Sequence, residues 1–358
     1  MSTSKRKGVA VAAAAALVTA GLTILPMGAA QADPDDPVTF SDANLRACVE
    51  DWVGHSPVTE FDALGVSALS CDVRNITVLT GLEAFTKLAV LNLFGNQISD
   101  LTPLAGLDQL TNLQLEFNQI SDISPLAGLD SLEILNLNWN EISNIGPLAG
   151  LDQLLDLHLS NNQISDIGPL AGLDSLEILN LYWNEISDIG PLAGLYQLKD
   201  LQLTDNQVLD LTALKDLGAL VNLHAISQAP PDVTALAHVP VSLPSIFDRN
   251  GDPVPPTITP PAGGSVTPNP GGTYTFNTAG AYTVTWTTGA GSSLFAGSFR
   301  VTVTEATVYI PDANLLACVN LELGPTRPPG QAVTVSEAQT LPVLNCSYEN
   351  VVDLTGLE

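Results

Sequence analysis

LDSLEILNLNWNEISNIGPLAG, residues 129–150, returns almost unchanged as LDSLEILNLYWNEISDIGPLAG at residues 173–194. Between them stands LDQLLDLHLSNNQISDIGPLAG, residues 151–172, so the period is 22 residues. Written generally the phrase is L-x-x-L-x-L-x-x-N-x-I-x-D-[IL]-x-P-L-x-x-L, and it runs from about residue 88 to residue 223. Asn96, Asn118, Asn140, Asn162, Asn184 and Asn206 mark its beat.

A leucine-dominated phrase at this period is a leucine-rich repeat. Leucines two apart, such as Leu113 and Leu115, point the same way on a strand, and the residues between them point to the opposite, solvated face. After the strand the chain turns at Asn118 and runs back through Ile120, Ile123, Leu126 and Leu129, all inward. The entropy lost in ordering one repeat exceeds what its aliphatic side chains return. A lone repeat is therefore unstable, and stability comes from stacked neighbours. The asparagine amides, which both donate and accept, are read as a structural ladder satisfying buried backbone groups of adjacent coils. Pro103, Pro125, Pro147, Pro169 and Pro191 suit the first turn of a short 3₁₀ segment. Twenty-two residues leave little room for a full α-helix.

Working outward to the N-terminus, Lys5, Arg6 and Lys7 precede the apolar run VAVAAAAALVTAGLTIL, which closes on Ala30-Gln31-Ala32. This is a secretory signal peptide over residues 1–32, cut after Ala32. No other apolar run is long enough to span a bilayer. Residues 33–84 read as a cap. Ser41 or Asp42 starts a helix, and Leu45, Cys48, Val49 and Trp52 share one of its faces. Val66, Leu69 and Cys71 already follow the repeat register, 22 residues before Leu88, Leu91 and Leu93. Cys71 thus replaces an inward leucine beneath the cap helix. A Cys48–Cys71 disulfide is expected in a secreted chain with four cysteines, in preference to free thiols or a metal site.

On the other side the array, residues 85–228, fades: Ala225 and Gln228 stand where Leu and Asn are due. Residues 229–305 change texture. GTYTFNT, AYTVTWTT and SFRVTVT alternate with period two between Gly and Pro turns, which predicts a small immunoglobulin-like β-sandwich with Trp286 in its core. DRNGD, residues 248–252, reads as a turn; its glycine comes too early for a calcium loop. Residues 306–358 repeat the first cap: IPDANLLACV matches FSDANLRACV, and Cys318 and Cys346 correspond to Cys48 and Cys71. A second cap disulfide is expected. Glu358 aligns with Glu83, where a second array should begin. The chain reads as a fragment or as the product of a premature stop; if it is the whole product, this last segment is expected to pack poorly.

The chain carries 38 acidic and 11 basic residues, a net charge of −27. Loss of the leader, with its three basic residues, brings it near −30. Such a field excludes nucleic acid and anionic membrane surfaces as partners. Asp108, Asp130, Asp152 and Asp174 share one repeat position and Asp100, Asp122, Asp166 and Asp188 another, as on a solvated convex face. His55, His158, His224 and His238 form no motif, and no G-x-S-x-G, H-E-x-x-H or Cys-His pattern occurs. Binding is expected, not catalysis, with no cofactor and no metal, in a monomer.

A leader, a helical cap, 22-residue repeats carrying N-x-I-[ST]-[DN]-[IL]-x-P-L-x-x-L and an adjoining β-module together resemble the internalin-type bacterial surface proteins. The resemblance covers nearly all of the chain after the leader. It implies a leucine-rich-repeat solenoid with parallel strands on the concave face and 3₁₀ or irregular convex segments. It also implies an α-helical N-terminal cap and a following all-β immunoglobulin-like sandwich. In that family the concave face binds host or surface ligands, and a C-terminal element attaches the protein to the wall. This chain departs in its lack of an L-P-x-T-G motif, a basic tail and a terminal apolar anchor, and in the cysteine pairs of its caps. A protein or glycan ligand is then expected on Phe94, Glu116, Phe117, Asn138, Trp139, Asp156, His158, Tyr182, Trp183 and Gln202. Tyr182 falls on the outward side of its strand. Phe117, Trp139 and Trp183, beside the ladder asparagines, are open to two readings, ligand contact or packing against neighbouring coils. The function this implies is adhesion-type binding at a surface; a spacer of the envelope without a specific ligand is the alternative.

Overall fold

The computed structural model describes residues 35–289, 294–305, 307–324, 326–341, 343–344 and 346. The expected signal peptide and the start of the expected second array lie outside them.

The first cap is helix α1, Ala43–Val53, with Asp42 as its N-cap. One Asp42 carboxylate oxygen accepts from the Asn44 and Leu45 N–H groups, at 2.8 and 3.1 Å. The other accepts from the Thr77 N–H and hydroxyl, at 2.8 and 3.0 Å. Burial pushes this carboxyl up, but those backbone and hydroxyl donors outweigh it and hold it down to about 2. Asp42 thereby ties the cap helix to the first coil. Cys48 and Cys71 form a disulfide with Cα atoms 5.8 Å apart. Leu45, Cys48 and Val49 are buried, but Trp52, expected on the same face, is half exposed. The buried residues all lie in the first two turns of α1, and Trp52 falls in the turn beyond them. A four-residue helix, α2 (Glu60–Ala63), completes the cap through a Thr59–Asp62 capping box.

Eight strands follow at the 22-residue period: β1 (Ala68–Ser70), β2 (Val90–Asn92), β3 (Asn112–Gln114), β4 (Ile134–Asn136), β5 (Asp156–His158), β6 (Ile178–Asn180), β7 (Asp200–Gln202) and β8 (Asn222–Gln228). They form a parallel sheet in strict register, Leu69 beside Leu91, Leu91 beside Leu113, and onward to Leu201 beside Leu223. The return segments are 3₁₀, as in Gly146–Leu148, with proline in the first turn. Nearly every repeat leucine and isoleucine is fully buried. The aspartates at the second repeat position are exposed and also cap these segments. Asp100, Asp122, Asp166, Asp188 and Asp210 each accept from the N–H two residues on at 2.8 Å. The hydroxyl and N–H of Thr102 hold the Asp100 carboxyl below its ordinary value, and Ser124 does the same to Asp122.

Each ladder asparagine works alike. Asn162 donates to the carbonyls of Leu137, Leu159 and Ser160 at 3.0, 3.1 and 3.2 Å and accepts from Ile142 N–H at 2.9 Å. The array does not fade at Gln228. Its amide accepts from Val208 N–H at 2.8 Å and donates to Leu203 O at 2.8 Å, at the same offsets of 20 and 25 residues, so glutamine takes the asparagine's place.

The β-rich region is continuous with the solenoid. Strand β15 (Phe295–Thr304) runs parallel to β8, with Phe295 beside Ala225, and further along it pairs with β9 (Val233–Leu236). Strands β14 (Gly280–Thr288) and β11 (Thr257–Thr259) add antiparallel, closing a 12-stranded sheet. A second sheet, β10 (Pro240–Ser242), β13 (Thr273–Phe276) and β12 (Val266–Pro268), lies outside that sheet. Phe276, Tyr282, Val284, Trp286, Phe295, Phe299 and Val301 are buried in the module's core. DRNGD forms a turn: Asp248 accepts from Asn250 and Asp252 N–H at 2.8 and 3.0 Å. Arg249 reaches from it to the carbonyls of Leu214 and Leu217, at 2.9 and 2.5 Å, and closes the end of the last coil.

The second cap has its own core. Helix α3 (Ala313–Leu323) is N-capped by Asp312, and Cys318 is bonded to Cys346. Strands β16 (Thr307–Val308) and β17 (Val333–Thr334) pair antiparallel, and helix α4 (Val335–Ala338) follows. Leu315, Val319 and Val333 are buried in that core.

Two predictions test this architecture. Asn162→Ala leaves the Ile142 N–H and neighbouring carbonyls buried without partners, and urea unfolding should show a loss of about 2–4 kcal/mol. Gly297 sits beside Trp286 across the β14–β15 pair. A methyl group there would meet Gln228 O and the Trp286 ring, each at 2.3 Å. Gly297→Ala is expected to destabilise by about 2 kcal/mol or more, read as a lowered melting midpoint.

Candidate ligand-binding face

The residue before each ladder position is left-handed in every coil. Gly95, Phe117, Trp139, Asn161, Trp183, Asp205 and Ser227 have φ between 54° and 67°. This turn lets the following amide enter the core while the backbone ladder continues, as in Trp139 N–H to Ser160 O at 2.9 Å. Glycine, asparagine and aspartate suit such a conformation; bulky residues do not. Phe117, Trp139 and Trp183 nevertheless occupy it, at a strain of order 1–3 kcal/mol each.

These side chains are not tucked away. Phe117 and Trp139 are each 47 % exposed and Trp183 is 56 % exposed. They pack on one another along the sheet. Phe94 meets Phe117 edge-on at 5.5 Å, and Phe117 stacks on Trp139 at 5.2 Å and 11°. Trp139 meets Trp183 at 6.4 Å, although the coil of Asn161 lies between them. Tyr182 meets Trp183 at 6.0 Å. The result is one aromatic row crossing five coils. Tyr182 is more covered than Trp183, which reverses the order expected from strand alternation. Burial and the nearby Asp205 carboxylate both push its phenol up.

Beside the row lies a polar trough. His158 contacts Asp156 at 2.8 Å. Gln202 donates to Asp200 at 2.6 Å, and Asp200 also accepts from Asn222 at 3.1 Å. Asn138 is engaged in structure, accepting from Ser160 N–H at 2.6 Å. Glu116 Oε2 and Asp156 Oδ1 are both buried without a hydrogen-bond partner, and His158 Nε2 approaches only the second. Burial pushes the Glu116 carboxyl up, against the opposing pull of its own backbone N–H and of His158. Val90 and Ile178, each a little over one third exposed, form the opposite border with the partly buried Ile134. Sequence reasoning passed these over, although their place before the second leucine of the phrase marks them. Among the described residues no group of three His, Cys, Asp or Glu side chains could hold a metal ion.

The face is thus a shallow sheet surface with an aromatic rim, an anionic trough and an aliphatic border. Comparisons agree with the repeat reading. The family model "Leucine Rich repeats (2 copies)" matches residues 108–150. Internalin C2 of Listeria monocytogenes is 39 % identical, with 51 % of this chain and 92 % of that one covered and a TM-score of 0.43. Internalin F of the same organism is 30 % identical, covering 54 % and 78 %, with a TM-score of 0.34. The chain belongs to the internalin family. No curated protein matches it by sequence. As in any internalin-type array, the strict period turns a residue choice at one position into a row on the sheet. No helix among the described residues is long and apolar enough to cross a membrane.

The raised Glu116 carboxyl has a sign that can be tested. The folded state holds this proton more tightly than the unfolded chain, so the ionised form weighs against folding at pH 7. That penalty disappears as pH falls through the raised value and below the ordinary 4.5. Glu116→Gln is expected to raise the melting midpoint at pH 7, with the gain shrinking to nothing in acid.

Proposed function

We propose that this internalin-type chain is a secreted or surface-displayed binding protein that grips a protein ligand on the concave sheet face. The observation that carries the reading is the aromatic row. Phe117, Trp139 and Trp183 occupy left-handed positions that Gly95, Asn161 and Asp205 fill without bulk. The fold does not need these rings, and they stay about half exposed. Strain combined with exposure of large anchors is the signature of a site kept for contact. The similarity to internalins supports the same role. The leader, cut after Ala32, would deliver the chain outside the cell, where its disulfides suit an oxidising compartment.

The β-module is read as immunoglobulin-like. Tyr282 at the start of β14 donates to Thr278 O at 2.9 Å, and Trp286 fills the core. A tyrosine hydroxyl turned back to upstream backbone is a hallmark of that sandwich. Its role is to extend the array and hold the face away from its point of attachment.

The test compares the full chain with a Trp139→Asn/Trp183→Asn variant on arrays of surface proteins and glycans. Asparagine suits the left-handed position, so the relief of strain offsets the lost ring contacts. The variant's stability should stay within about 1 kcal/mol of the parent. Protein binding should weaken at least about tenfold. Equal binding by both forms would move the function to a spacer role, and a glycan signal lost in the variant would keep the face but change the ligand class.

A further inference from the structure

We propose that the ligand is a cationic protein segment whose Arg or Lys side chains lie on the aromatic row with their charge directed toward Glu116 and Asp156. This rests on the binding face argued above and names the chemistry of its partner. The first support is the charge of the face. From β2 to β8, the strands and the residues through each left-handed position contain no Lys or Arg. They do contain the carboxylates of Glu116, Asp156, Asp200 and Asp205.

The second support is how these carboxylates are partnered. Asp156 faces His158, Asp200 accepts from Gln202 and Asn222, and Asp205 lies near the Tyr182 phenol. Glu116 Oε2 and Asp156 Oδ1 have no hydrogen-bond donor and are shielded from solvent. Several of the protein's own cations are committed elsewhere. Arg74 pairs with Asp51, Lys199 with Glu177, and Arg249 with the carbonyls of the last coil. A half-buried carboxylate with one oxygen lacking a donor, next in sequence to Phe117 of the aromatic row, is complementary to a cation bearing several donors. Trp is the strongest ring partner for a cation, and a guanidinium can stack on it while its N–H groups reach a carboxylate. A neutral sugar would stack on the rings but bring no counter-charge to Glu116. An acidic ligand would be repelled by the whole face.

The experiment pans a random dodecapeptide display library over the full chain, then measures selected peptides by fluorescence anisotropy. The expected result is enrichment of Arg and Lys. Affinity should fall roughly tenfold in Glu116→Gln and in Trp139→Asn/Trp183→Asn, and should weaken as salt is raised. A variant carrying Asp108→Asn, Asp130→Asn, Asp152→Asn and Asp174→Asn removes four exposed charges outside the face and should bind as the parent does. Equal loss in that variant would reduce the effect to bulk charge and overturn the proposal. Neutral or acidic peptides that depend on the aromatic row would overturn it while leaving the binding face standing. Absence of any row-dependent peptide, protein or glycan would overturn both.

Discussion

Everything in this molecule is subordinate to one buried amide per coil. Each ladder asparagine joins its own turn to the preceding coil through a donor contact 25 residues back and an acceptor contact 20 residues back. Those offsets hold only if the period stays at 22, because an insertion would leave a carbonyl and an N–H buried and unpaired. The strands therefore lie in perfect register, and equivalent positions stack about 4.8 Å apart. Gln228 shows that the requirement is for the amide: the longer side chain reaches the same two groups at the terminal coil.

The ladder also explains where the face places its rings. To send an amide inward three residues after an inward leucine, as Asn184 follows Leu181, the chain passes through a left-handed conformation at the residue just before the amide, here Trp183. That conformation breaks the simple alternation of a strand. Residues 182 and 183, which alternation would send to opposite sides, both reach the same rim. A ring at the left-handed position lies over the outer edge of the sheet, free of the core and within reach of its equivalents. The strain is local, while the contact row it builds extends across several coils.

The period, the strands, the proline-led 3₁₀ segments and the cap disulfides were legible because each is written in local pattern or repeated spacing. The pairing of Cys48 with Cys71 followed from one helix having to cover one open coil. Less was legible where geometry is set at long range. The parallel pairing of β15 with β8 joins residues about 70 apart and leaves no mark in either segment. Arg249 gave no sign that it would cap the last coil, since its three carbonyl partners are unremarkable leucines. Trp52 fitted the helical period yet lies beyond the area that the first coil can cover. At the face, composition picked out the aromatic residues, but their exposure depended on a backbone angle the sequence does not display.

Solenoids have ends, and an open strand edge invites pairing with another chain. Here the first coil is covered by α1, which is fastened by the disulfide and by Asp42. The last coil is covered by a strand of the β-module, with Gly297 drawn against Gln228 O and roofed by Trp286. The sheet then continues to β11, an edge strand of only three residues. Main-chain donors and acceptors are thus largely consumed within the chain. What remains for a partner, among the described residues, is a surface of side chains held in fixed rows. Recognition by such a surface depends on which residues occupy the rows, and in this chain the rows carry aromatic rings beside carboxylates without a lysine or arginine among them.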